Sequence, residues 1–154
     1  MDTYHRDTYH PGVRVGAYGE TRADVQKDWA ALFGRVLLAA IFVISGFGKL
    51  TGFEGTVDHI AEKGLPIPQV LALISILIEL GGGVALLLGW KARWAALAFM
   101  VFLIVITPIF HGFWGISPEQ AMAQQINFMK NVSILGGMML LFAFGPGRYS
   151  VDRG

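Results

Sequence analysis

Apolar residues fall into four long runs separated by short polar stretches. The runs cover residues 32–50, 67–90, 92–110 and 126–144. A hydrocarbon core of about 30 Å takes about 20 helical residues, and apolar runs of that length read as membrane-spanning helices. The pattern therefore predicts an all-α fold, an integral membrane four-helix bundle. Between the first and second runs the period changes. Phe53, Val57, Ile60 and Ala61 make an apolar side, and Glu54, Asp58 and Glu62 a polar one. This predicts a short amphipathic helix lying along the membrane surface. Gly64 ends it, and Pro66 and Pro68 prevent its continuation.

Residues 21–31 read as a helix start feeding the first span. Thr21 is the N-cap and Asp24 suits the positive helix end. Val25, Trp29 and Phe33 share a face, with Trp29 at headgroup level. Residues 112–125 read as a longer loop that opens on the aromatic pair Phe113–Trp114.

Composition agrees with a membrane setting. Charged residues make up 15% of the chain and apolar ones 54%, whereas soluble domains carry about 25% charge. The net charge of +1 gives no reason to expect nucleic acid as a partner. The chain has no cysteine, which excludes disulfides, a thiol nucleophile and thiolate metal sites of its own. The first 30 residues lack an apolar h-region, so no cleavable signal peptide is expected. Residues 1–20 are expected to be a disordered arm, residues 21–150 the helical domain and residues 145–154 a short tail. The arm repeats Asp-Thr-Tyr-His at residues 2–5 and 7–10. Two such histidines could bridge a metal, but in a polar tail they read as solvated side chains, and no metal site is expected.

Lysines and arginines near the span ends set orientation. Arg6, Arg14, Arg22 and Lys27 precede the first span, Lys91 and Arg93 lie between the second and third, and Arg148 and Arg153 follow the fourth. With four spans these share one side, whereas residues 112–125 carry no Lys or Arg. Both termini are expected in the cytoplasm of a bacterial-type inner membrane.

Glu79 is the most informative residue. It sits inside an apolar run, where an ionised carboxylate is costly and marks a partner, a wet cavity or chemistry. A rise of 1.5 Å per residue puts Arg35 about 5 Å from the cytoplasmic end, where it snorkels to the surface. The same rise puts Glu79 about 16 Å in, Lys130 and Asn131 about 21–23 Å, and Lys49 about 25 Å. His111 lies at the outer boundary. Lys49, Glu79, His111, Lys130 and Asn131 thus converge on the outer half of the bundle, with Lys130 the first candidate partner of Glu79 and Lys49 the second. One reading is a buried ion pair that fixes helix register. The other counts two ammonium groups against one carboxylate and assigns the surplus charge to a ligand: an anionic headgroup, a quinone carbonyl or a sulfur oxyanion. His111 is then the natural proton carrier, since imidazole titrates near neutrality. Glu79 and His111 are the catalytic candidates. Lys49, Glu79, His111, Trp114, Lys130 and Asn131 are the candidate ligand-binding set.

Small residues support close helix approach: Gly46 and Gly48, Gly81–Gly83, and Gly136–Gly137. Gly82 also leaves room for a flat ligand. Pro108 is expected to kink the third span one turn before His111.

Together these pieces resemble the DoxX family of small four-span membrane proteins. They are Arg35, Gly46-Phe47-Gly48-Lys49-Leu50, Gly52-Phe53, Gly64-Leu65-Pro66, Glu79 with Gly82-Gly83, His111-Gly112-Phe113-Trp114, Lys130-Asn131, Gly136-Gly137 and Gly145-Pro146-Gly147 with Ser150 and Asp152. The match runs over residues 33–152 and leaves out the N-terminal arm. The resemblance implies the fold and a leaning toward redox, because members resemble the membrane subunit of a thiosulfate:quinone oxidoreductase and others are linked to thiol and oxidative-stress handling. The implied function is a membrane subunit or accessory of a redox or respiratory system, active as an oxidoreductase only with a partner subunit. Quinone is the candidate cofactor, and lipid and a second protein subunit are the expected partners. No haem is expected, since one well-placed histidine does not supply two axial imidazoles. The alternatives are a non-catalytic assembly or anchoring subunit and, third, a small transporter.

The orientation is open to a direct check. A cysteine placed at Lys91 should resist a membrane-impermeant thiol reagent added to the periplasmic side, and labelling from that side would reverse the assignment.

Overall fold

The computed structural model describes residues 22–152. These form five helices: α1 (Arg22–Thr51), α2 (Phe53–Glu62), α3 (Pro68–Leu88), α4 (Ala92–His111) and α5 (Pro118–Phe144). There is no strand among the described residues. All but α2 are long and apolar enough to cross a membrane. The proposed Thr21 cap, the arm and its Asp-Thr-Tyr-His repeat lie outside the described residues.

Local chemistry explains the boundaries. α1 continues without a break from Arg22 through the first span, so the surface segment and the span are one helix. Gly89 adopts a left-handed φ of +68° and closes α3, its N–H donating to the Leu86 carbonyl at 3.0 Å. α5 begins at Pro118, and Glu119 to Gln125 continue it. The expected loop over residues 112–125 thus shortens to 112–117. Ala, Gln, Glu and Met are strong helix formers, and proline suits the first helical position, so this turn needs no apolar stripe.

The spans pack as a ring: α1 against α3, α3 against α4, α4 against α5, and α5 back against α1. Among the described residues α3 and α5 are not neighbours in this ring and lie diagonally across the bundle. The main core joins Ala39 and Phe42 of α1, Leu86 of α3, Ala96, Phe99 and Leu103 of α4, and Met138 of α5. The Phe42 and Phe99 rings stack with centroids 3.9 Å apart. A Cβ on Gly82 would come within 2.9 Å of the Phe99 ring. The space that Gly82 was expected to leave for a flat ligand is therefore filled by this side chain. A second cluster, Val57, Ile60 and Ala72 with Phe53, Leu65, Leu71 and Phe110, seats α2 across the ends of α3 and α4. Leu37, Ile44, Leu77, Ile104 and Leu140 point outward from the spans, as a lipid-facing surface requires.

Arg35 departs from expectation. It does not snorkel: it is buried, 2% exposed. Its Nη1 donates to the Pro146 carbonyl at 2.7 Å and its Nη2 to the Tyr149 carbonyl at 2.6 Å. Snorkelling is the solution for a cation that faces lipid, whereas Arg35 faces the returning chain and finds acceptors there. The C-terminal segment is accordingly a strap across the face where α1 begins. The Arg148 N–H donates to Asp28 Oδ1 at 3.2 Å. Val151 and Asp152 donate backbone N–H groups to the Leu88 and Gly89 carbonyls at 3.1 and 3.2 Å. The Asp152 carboxylate accepts the Lys91 N–H at the start of α4, where the helix dipole favours an anion. Gly89 is forced at this crossing, since a Cβ would lie 2.6 Å from Arg35 Nη1.

Arg35→Ala should loosen the strap. Trypsin cleavage after Arg148 in detergent is expected to accelerate about tenfold or more, because each hydrogen bond to a charged group is worth about 1.5–3 kcal/mol. An unchanged cleavage rate would show that the strap is held otherwise.

Candidate functional site

Glu79 lies in a π-helical turn, residues Leu77–Gly82 of α3. A π turn inserts one residue into the helical register and re-aims the side chains it carries. The glycines that follow Glu79 reduce the steric cost. α1 lies hard against this turn at Gly46, where a Cβ would come within 3.0 Å of Glu79 Cβ and of the Leu80 backbone nitrogen. This close approach brings the next turn of α1 to the carboxylate. Lys49 Nζ donates to Glu79 Oε2 at 2.8 Å and Oε1 at 3.0 Å, and to Ser45 Oγ, one turn back, at 2.7 Å. Glu79 is buried, 4% exposed. The Lys49 side chain keeps 30% exposure. The ammonium has three donors, and all three are engaged.

Lys130, the partner expected first, is not involved. Its Nζ donates to Asn127 Oδ1 at 2.9 Å, on the exposed side of α5. Depth along the membrane normal places it within about 5 Å of Glu79, but α5 sits diagonally from α3. Rotation about a helix axis, 100° per residue, also turns Lys130 outward where its neighbour Asn131 turns inward. Asn131 is buried and its Nδ2 donates to Thr107 Oγ1 of α4 at 3.1 Å. Trp114 is exposed and packs edge-on against Phe113 and Phe128. The embedded charges near Glu79 therefore balance one to one, and Lys130 adds no second ammonium there.

Lys49, Glu79 and His111 do come together, on one cavity of about 440 Å³ bounded by α2, α3 and α4. That volume lies within the range of small-molecule sites. Its walls are largely apolar, formed by Leu71 and Ile74 of α3 and by Phe102, Val105 and Ile106 of α4. Ile74 and Val105 are also about half exposed on the outer surface, so the cavity borders the lipid-facing surface between α3 and α4. Lys49, Glu79 and Ser75 supply polar groups within the span, and Thr56, His59 and His111 supply them at the α2 end. His111 Nδ1 lies 3.0 Å from Gln124 Oε1. With that oxygen as acceptor, Nδ1 carries the hydrogen, and Nε2 is the ring nitrogen left for a ligand. His59 Nδ1 is 3.6 Å from Glu62 Oε2, and its ring lies against Phe110.

His59, Thr56 and Ser75 are absent from the sequence-based set. The spacing of Thr56, His59 and Ile60, three and four residues apart, puts them on one side of α2 and was a usable signal. Ser45, one turn before Lys49, was another.

The family model for DoxX matches residues 30–112, which run from α1 to the end of α4. The chain is 37% identical to Inner membrane protein YphA of Escherichia coli (strain K12) over 79% of its length and 87% of the relative's. It is 36% identical to Inner membrane protein YqjF of the same organism over 82% of its length and 92% of the relative's. A Bacillus subtilis (strain 168) protein, CatD, whose name marks it as a candidate oxidoreductase, is 36% identical over 46% of this chain and 51% of its own. No solved structure matches the chain. The protein belongs to the DoxX family and is a multi-pass inner membrane protein.

Breaking the Lys49–Glu79 pair from one side leaves a buried charge unpaired. Lys49→Met is expected to cost about 3–5 kcal/mol in unfolding from detergent, and Lys49→Met with Glu79→Leu to recover much of that loss. Additive losses in the double variant would show that the two groups do not act as a pair.

Proposed function

We propose that this protein is a membrane subunit or accessory of a redox system, with a quinone-type headgroup as the ligand of the cavity between α2, α3 and α4. The observation that carries this reading is the cavity itself: apolar walls along the spans, bordering the lipid-facing surface and reaching the Lys49–Glu79 pair. A lipid-soluble ring with a carbonyl oxygen fits such a space better than a water-soluble substrate does. The name of CatD and the resemblance to redox-associated DoxX proteins support the same class.

In this reading each residue has a role. Lys49 donates to the ligand carbonyl by turning one of its hydrogen bonds away from Glu79. Glu79 would keep the ammonium charged and in place and would pass to the ligand oxygen a proton received from the α2 end. His59 and His111, at the α2 end, exchange protons with water. A bound quinone would supply the two-electron couple, taking its protons by way of Glu79 and its electrons from a partner subunit, since this chain has no cysteine for thiol chemistry. Both termini lie in the cytoplasm, as the Lys and Arg distribution favours, which puts α2 on the periplasmic side.

A second reading has an observation of its own. Every donor of Lys49 is engaged by Glu79 and Ser45, which suits a pair that only registers α1 against α3 in an assembly or anchoring subunit.

Photolabelling separates the two. An azidoquinone applied to the full chain in nanodiscs should label Ile74, Phe102 or Ile106, with competition by unlabelled ubiquinone and loss of labelling in Ile106→Trp. Labelling spread evenly over the lipid-facing helix surface, or indifferent to competitor, would favour the structural role.

A further inference from the structure

A second groove runs between α1 and α5 and shares no lining residue with the first cavity. It encloses about 770 Å³, with Ala30, Gly34 and Leu38 on the α1 side and Lys130, Ile134 and Gly137 on the α5 side. Of the charged side chains within the spans, Arg35 is held by two carbonyls and Lys49 by Glu79. Lys130 is exposed, bonds only the neutral amide of Asn127 and has no carboxylate partner among the described residues. A lone ammonium at that depth is costly and calls for an anion.

We propose that this groove binds one anionic phospholipid, with its phosphate on Lys130 and Asn127 and an acyl chain lying between α1 and α5. Three observations favour a lipid over another helix. First, Lys130 is four residues inside the apolar run that starts at Ile126, about 6 Å, and it reaches back one turn toward Asn127 and the α2 face. A snorkelling lysine there meets the phosphate layer. Second, the groove follows α5 from Lys130 to Phe144, about 21 Å, so one acyl chain can lie in it past the middle of a core about 30 Å thick. Third, α1 and α5 approach closely within the groove: a Cβ on Gly137 would lie 3.1 Å from Leu38 Cδ2. That leaves a furrow for a chain of methylenes and not a slot for a helix of roughly 10 Å diameter. The uncompensated positive charge selects an anionic headgroup over a zwitterionic one.

The test is native mass spectrometry of the full chain released from nanodiscs of equal phosphatidylglycerol and phosphatidylcholine. One phosphatidylglycerol per protein should be retained in preference to phosphatidylcholine. Lys130→Gln should reduce that preference about fivefold, the factor that about 1 kcal/mol per cation near an anionic headgroup gives. Gly34→Leu provides a second arm. A Cβ at Gly34 meets nothing within 4 Å, so the helix tolerates it while the side chain enters the groove. This variant should lose retained lipid of both kinds with an unchanged melting temperature, and Lys63→Gln should behave as wild type. Equal retention of the two lipids, a preference that survives both groove variants, or a protein bound over the groove in place of lipid would overturn the proposal.

Discussion

The ion pair between Lys49 and Glu79 is the constraint on which the rest of the bundle turns. A carboxylate in the middle of an apolar helix is costly, and here a partner at hydrogen-bond distance offsets that cost. The partner sits on α1, so α1 and α3 must lie close and in fixed register. Gly46 removes the side chain that would hold them apart, and the π turn at Leu77–Gly82 aims Glu79 at the ammonium. Ser45 completes the lysine's shell from one turn away. The same geometry leaves Lys49 partly exposed and on the wall of a cavity, where a fully enclosed pair would have no chemistry to offer.

The two ends of the bundle are organised differently. At the face where α1 begins, Arg35 and Asp152 tie the C-terminal strap across α1, α3 and α4. Both terminal nitrogens of Arg35 and the Asp152 carboxylate meet backbone groups there, and the arrangement is one of closure. At the opposite face α2 covers the cavity with an amphipathic surface, and its His59 lines that cavity together with His111 of α4. In a redox reading this is the natural end for proton exchange, since imidazoles serve near neutral pH.

Much of this was legible in the chain. Four apolar runs give the four spans, and the change of period over residues 53–63 gives α2. Hydropathy is a one-dimensional signal, and depth along the membrane is the coordinate it measures. It therefore found Glu79 and placed Lys49 and His111 near it. It could not separate Lys49 from Lys130, because the angle around the bundle depends on which helices are neighbours. It also misplaced Arg35, since a strap built from eight residues after the last span carries no hydropathy signal. His59 was hidden by the amphipathic pattern itself, which sorts α2 into two faces and passes over the flank between them. The start of α5 was hidden for a related reason: Pro118 to Gln125 form helix by propensity, outside any apolar run.

The central claim is that the Lys49–Glu79 pair heads a ligand cavity and does more than hold two helices together. Infrared difference spectroscopy reads this at the carboxylate itself. Adding a short-chain ubiquinone to the protein in nanodiscs should perturb the carboxylate bands of Glu79, identified by carbon-13 labelling of glutamate and by their absence in Glu79→Gln. The quinone carbonyl band should shift as it accepts a hydrogen bond, and Lys49→Met should abolish that shift. Difference spectra that are the same in wild type and in both variants would show that quinone does not meet the pair, and the account of the site would fail.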